Sequence, residues 1–149
     1  MKVSQRVTYG IMAAVDLAMN ATEIPIQART IARRQAIPVR FLEQVLNAMK
    51  KAGLVDSLRG AQGGYMLLKE PSLLSVADVL EALDGPVFHH AFQSQSVLGR
   101  RLTKQELLLG DVWEQVEVAE REVLGRITIE QLAGRQRAIE EQRNPMYHI

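Results

Sequence analysis

The sequence predicts a mainly α-helical protein with a small β-wing: a winged helix-turn-helix domain followed by a long C-terminal helix suited to dimerisation. Three observations carry that prediction. Residues 38–65, PVRFLEQVLNAMKKAGLVDSLRGAQGGY, read as an amphipathic helix, a short strand and a glycine-rich hairpin tip holding one arginine. Two helical patterns precede that stretch, the second of them short, as a helix-turn-helix requires. From Thr103 to about Gly125, apolar residues recur at 3-4-3-4 spacing, the pattern of a helix–helix seam.

The elements follow in order. Ser4 caps a first helix over roughly Gln5 to Asn20, whose Val7, Ile11, Ala14, Val15, Ala18 and Met19 fall on one face. Thr22 to Pro25 break it, and a short second helix covers about Gln27–Gln35 with Ile31 and Ala32 inward. Ala36-Ile37 is the turn. Pro38 suits the first position of a third helix, where its missing N–H would be unbonded anyway. In that helix Leu42, Val45, Leu46 and Met49 form the buried stripe, and Gly53 ends it. Leu54–Leu58 and Tyr65–Leu68 read as two short strands joined by Arg59-Gly-Ala-Gln-Gly-Gly64, and Pro71 closes the wing.

Ser75 caps a fourth helix through about Leu83, and Asp84-Gly-Pro86 ends the first domain, residues 1–86. Residues 87–102 show the weakest periodicity and are expected to form a linker or sensor loop. Residues 103–138 then hold the long helix and a short final helix starting at Thr128-Ile-Glu-Gln131, leaving 139–149 as a flexible tail.

Composition bounds the function. The chain has 149 residues, 47% hydrophobic and 23% charged, in the range of a globular protein. No apolar run approaches the ~18–20 residues needed to span a bilayer, and the first residues lack a secretory leader pattern, so a cytoplasmic location without membrane contact is expected. Residues 1–70 hold ten Lys/Arg against five Asp/Glu, while residues 71–149 hold eight against twelve. The basic half is also the half with the helix-turn-helix pattern, which suits a phosphate-facing surface. Cysteine is absent, which excludes disulfides, thiolate chemistry and any Cys-ligated zinc or iron–sulfur cluster. No Ser-His-Asp constellation, phosphate loop or metal-ligand spacing is visible, so an enzyme is not expected.

Double-stranded DNA is the expected partner, and the candidate contacts follow from base-edge chemistry. Arg40 suits guanine O6/N7, Gln44 suits adenine N6/N7, and Glu43 can accept from cytosine N4. Asn47 lies one turn on and reaches a base or a phosphate, while Lys50 and Lys51 suit phosphates. Arg59 at the wing tip suits a narrow minor groove. Lys2, Arg33 and Arg34 are further phosphate candidates. His89 and His90 are the only candidates for metal binding, though adjacent side chains diverge and a surface loop explains them as well. No cofactor is otherwise indicated.

Leu109, Val112, Val116, Ala119 and Val123 form the seam of the long helix. It spans only about two heptads, so packing against the first helix of the same chain is an alternative. A homodimer is favoured, because a small winged domain offers little surface to cover so long a helix. Trp113 lies beside the seam.

The chain also resembles a known bacterial family. Met1-Lys-Val-Ser4, Tyr9-Gly10, Ile31-Ala32, Phe41-Leu42-Glu43-Gln44, Ala52-Gly53-Leu54-Val55, Ser57-Leu58-Arg59-Gly60, Gly63-Gly64-Tyr65, Val79-Leu80 and Asp84-Gly85 are similar to the Rrf-two family of winged helix-turn-helix transcription regulators, the IscR- and NsrR-like group. The run from Ala52 to Tyr65 is the most specific. The resemblance implies a homodimer on palindromic DNA, usually acting as a repressor. Sensing members carry three cysteines between the fourth helix and the long helix. Here that segment reads VFHHAFQSQSVLGRRLTKQE, without a thiol, so the family's cluster sensing does not carry over and a small molecule, a partner protein or a metal held without cysteine is the expected effector. The competing reading is a winged-helix protein-interaction module with only weak, nonspecific DNA binding.

Overall fold

A computed structural model of the chain describes residues 3–85, 101 and 103–144. Among them the order of elements is α1 (Gln5–Met19), α2 (Ala28–Gln35), α3 (Val39–Lys51), β1 (Val55–Leu58), β2 (Gly64–Leu67), a 3-10 turn (Pro71–Leu73), α4 (Val76–Asp84), α5 (Lys104–Arg126) and α6 (Ile129–Arg143). The predicted class holds: a mainly α-helical winged fold with a small antiparallel wing and a long C-terminal helix.

The starts of α1, α4, α5 and α6 are set by side chains that accept from otherwise unpaired first-turn N–H groups. Ser4 Oγ accepts from the Val7 amide at 3.3 Å. Ser75, Thr103 and Thr128 each form a reciprocal capping box, with Asp78, Glu106 and Gln131 respectively accepting from the cap's own amide. Each such cap is worth about 1 kcal/mol. Helices α1 to α4 then bury their apolar faces in one core containing Val7, Ala14 and Leu17 of α1, Ile31 of α2, Leu42, Leu46 and Met49 of α3, and Val79, Leu80 and Leu83 of α4.

Several boundaries differ from expectation. Pro38 sits just before α3 with an extended backbone (ψ 126°), not as its first helical residue, and its carbonyl accepts from the Leu42 amide at 3.0 Å. Ile37, held outside the helix by the proline that follows it, is buried with Leu42 and closes the helix start. Both strands begin one residue away from the predicted limits, because register is set by the pairs Val55 with Leu67 and Leu58 with Gly64.

The largest correction concerns the C-terminal end. The final helix is not short, and residues 139–143 are not a flexible tail: α6 runs fifteen residues to Arg143. Its Glu, Gln, Arg and Ala residues are good helix formers, and Gln136 Nε2 donates to Glu140 Oε1 at 3.0 Å. Nor does its first turn stand apart from the N-terminal domain. Val76 N–H donates to the Ile127 carbonyl (2.9 Å) and Ile129 N–H to the Leu74 carbonyl (2.8 Å), a small bridge between the starts of α4 and α6. Ile129 (0% exposed) and Ala133 (2%) join the same core as α1 and α4.

Candidate nucleic-acid interface

The inward stripe of α3 decides what its other face can do. Leu42, Val45, Leu46 and Met49 are all buried, which turns Arg40, Glu43, Gln44, Asn47, Lys50 and Lys51 outward, and all six are exposed. The helix ends sharply. Gly53 adopts a left-handed backbone (φ 77°) while its amide donates to the Lys50 carbonyl and the Leu54 amide to the Met49 carbonyl. That paired closure fits glycine, which has no Cβ to clash, and it sends the chain straight into β1.

The wing is braced against the helix-turn-helix at three points. Ile26, just before α2, pairs with Tyr65 of β2 through both backbone hydrogen bonds, at 2.9 and 2.7 Å. Gly64 makes that approach possible, since a Cβ there would lie 2.5 Å from the Ile26 carbonyl carbon. At the tip, Gln27 Nε2 donates to the Ala61 carbonyl at 3.4 Å. Lys50 Nζ donates to Ser57 Oγ at 2.6 Å, linking the end of α3 to β1. Lys50 is therefore exposed on the outward face of α3 and at the same time held in a bond that fixes the wing. Arg59 follows β1 directly and is exposed, in the same chain segment as exposed Gly60, Ala61 and Gln62.

Arg33 and Arg34 part company. Arg33 is exposed. Arg34 is committed to Asp16 of α1, with Nη2 at 2.6 Å from Oδ1 and Nε at 3.0 Å from Oδ2, and Gln35 Nε2 adds a bond to Oδ2 at 2.8 Å. Asp16 is 1% exposed, whereas the Arg34 side chain is 37% exposed. A carboxylate so deep in the fold is tolerable only when paired and hydrogen-bonded. The expectation that Arg34 is free for a phosphate is thus corrected: its two-point pair fixes α2 on α1. The sequence signal of the buried carboxylate is Ala13-Ala14-Val15-Asp16-Leu17, where a charge interrupts an apolar run on the buried face.

Near the other end of α3, Tyr9 and Phe41 pack edge to face with ring centroids 5.4 Å apart. Lys2, His89, His90 and the linker segment 87–100 lie outside the described residues.

On α5 no residue is buried. Leu109 (42%), Val112 (47%), Val116 (36%) and Val123 (57%) are exposed, as is Ala119, so the seam does not pack on α1. Contact with the rest of the chain runs along the neighbouring face, where Leu124 meets the core and Arg121 reaches Glu81 of α4 at 3.8 Å. Among the described residues no helix is long and apolar enough to cross a membrane, and no group of three or more His, Asp or Glu could hold a metal ion.

Comparison with known proteins gives a consistent picture. Residues 3–135 match the family described as "Rrf2: Iron-dependent Transcriptional regulator". The HTH-type transcriptional regulator CymR of Bacillus subtilis is 32% identical over 133 residues, 89% of this chain and 90% of that protein. IscR of Klebsiella pneumoniae is 31% identical over 153 residues, covering 97% of this chain and 92% of that one. The solved structure of B. subtilis CymR, described as a global cysteine regulator, superposes with a TM-score of 0.73 at 31% identity, over 90% of this chain and 97% of that structure.

Proposed function

The chain belongs to the Rrf2 family of transcriptional regulators, and from that premise we propose that it acts as a cytoplasmic homodimer that binds palindromic operators, as a repressor. The observation that carries this reading is the fully exposed polar face of α3 beside a wing braced to the same helix-turn-helix unit. Arg40, Glu43 and Gln44 read base edges in the major groove, Asn47 and Lys51 hold the backbone, and Arg59 enters the adjacent minor groove. Leu109, Val112, Val116, Ala119 and Val123 form the dimer seam. Two half-sites then sit about one helical turn, roughly 34 Å, apart, and an effector acts by changing the spacing or tilt of the paired recognition helices.

With no cysteine in the chain, the signal is not a Cys-ligated cluster. "Iron-dependent" in the family's description therefore does not reach this chain by that route. A small molecule, a partner protein or a metal held without thiolate fills the role.

The test is selection of duplexes from a random DNA pool by the wild-type protein, with Arg59→Ala alongside. An enriched palindrome that Arg59→Ala recovers about tenfold less well, with nonspecific binding less affected, supports the reading. Equal loss of specific and nonspecific binding would reduce Arg59 to a source of charge. No enriched site at moderate salt would favour a protein-interaction module.

A further inference from the structure

The outward face of α3 carries one side chain that neither the core nor charge explains. Val39, the first helical residue, is 38% exposed and is the only large apolar side chain that α3 leaves exposed. It does not complete the core, because the helix start is already closed by buried Ile37 (5%) and Leu42 (0%). Nor does it favour the helix, since a β-branched residue loses rotamer freedom there. Exposure alone would say little, since single exposed apolar side chains are common on protein surfaces; what matters is where on α3 this one stands.

That position names a partner. Val39 lies four residues before Glu43 and so one turn up on the same side, while Arg40 stands in the same relation to Gln44. The N-terminal turn of a recognition helix is the part that meets base edges in the major groove. Val39 has no donor and no acceptor, so it cannot read a hydrogen-bonding edge. The one apolar feature that the major groove offers is the C5-methyl group of thymine.

We propose that Val39 is a specificity-determining residue that packs on a thymine methyl in each half-site, beside the polar readout by Arg40, Glu43 and Gln44. The proposal rests on the reading of the chain as a sequence-specific DNA-binding protein. Methylene-sized apolar contacts set the scale: loss of one methyl contact weakens binding about fourfold, and the two half-sites of a palindrome multiply that effect.

The experiment replaces each thymine of the selected operator in turn by deoxyuridine, which differs only by lacking the methyl group. Wild-type protein and Val39→Ala are titrated against every duplex. The expected result is one thymine per half-site at which uracil weakens the wild type about fourfold, with that ratio falling to about one for Val39→Ala. The uracil series on wild-type protein stands even if the variant folds poorly, and circular dichroism checks the variant. An operator with no methyl-sensitive thymine overturns the proposal, as does a variant whose loss multiplies with that of uracil or which binds the thymine duplex as tightly as the wild type. Failure of the wild type to select any site overturns the DNA-binding reading itself, before uracil enters the experiment.

Discussion

Helices α3 and α5 are both amphipathic, and they end in opposite states. The apolar stripe of α3 is fully buried by its own chain, whereas the apolar stripe of α5 is exposed from Leu109 to Val123. The difference tells which surface of each helix is available for work. On α3 the core consumes the apolar side and leaves a polar face to meet a polar partner. On α5 the chain covers only a flank, through Leu124 and Arg121, and leaves the apolar side to be covered by something else. Self-sufficient packing suits the proposed reading role of α3; the uncovered apolar side of α5 suits the proposed seam.

The contrast breaks most severely if α5 is disabled. The double substitution Val116→Glu, Ala119→Glu should give monomers by light scattering and weaken operator binding at least about a hundredfold, since each head alone holds one half-site. Thermal unfolding of the head should change little. A dimer that survives both charges would sink the assigned seam.

A second test stays inside the self-sufficient region. Arg34→Ala leaves buried Asp16 without its counter-ion and should cost about 3 kcal/mol by urea denaturation, independent of protein concentration. The salt dependence of DNA binding should keep its slope. If Arg34 instead contacts a phosphate, the slope drops by about one ion and the unfolding midpoint stays put.

The smallest expected effect lies in the turn between α2 and α3. Ala36 holds a left-handed backbone (φ 53°, ψ 45°), a conformation that costs a non-glycine residue roughly 1 kcal/mol. Ala36→Gly removes that strain but adds freedom to the unfolded chain, so a gain of less than about 1 kcal/mol is expected in the same denaturation assay. A loss would mean that the Ala36 methyl contributes to packing of the turn.

Much of this architecture was legible in the residues. Ser4, Ser75, Thr103 and Thr128 announce helix starts because capping is local chemistry, and Leu42, Val45, Leu46 and Met49 announce the inward side of α3 by spacing alone. Gly53 and the glycines of the wing mark turns for the same reason. What escaped depends on contacts between distant parts of the chain. Nothing local in Thr128-Ile129 says that this segment pairs with Leu74–Val76, and the short apolar pattern of Ile129, Leu132 and Ala133 does not by itself say which core it fills. The partner that commits Arg34 lies eighteen residues away on α1. Polarity in residues 139–143 reads as a flexible tail, although the same residue types are good helix formers once a first turn is anchored.

The bridge between Leu74–Val76 and Ile127–Ile129 has a practical consequence for anyone dissecting the molecule. The reading head cannot be cut out at residue 85 as a finished unit. Such a fragment would keep every candidate DNA contact yet carry an open slot where Ile129 and Ala133 had been, with the Leu74 carbonyl and the Val76 amide left without their partners. The head is closed by a plug that arrives only after the chain has passed through α5, so its core is completed by residues that lie beyond that helix in the sequence.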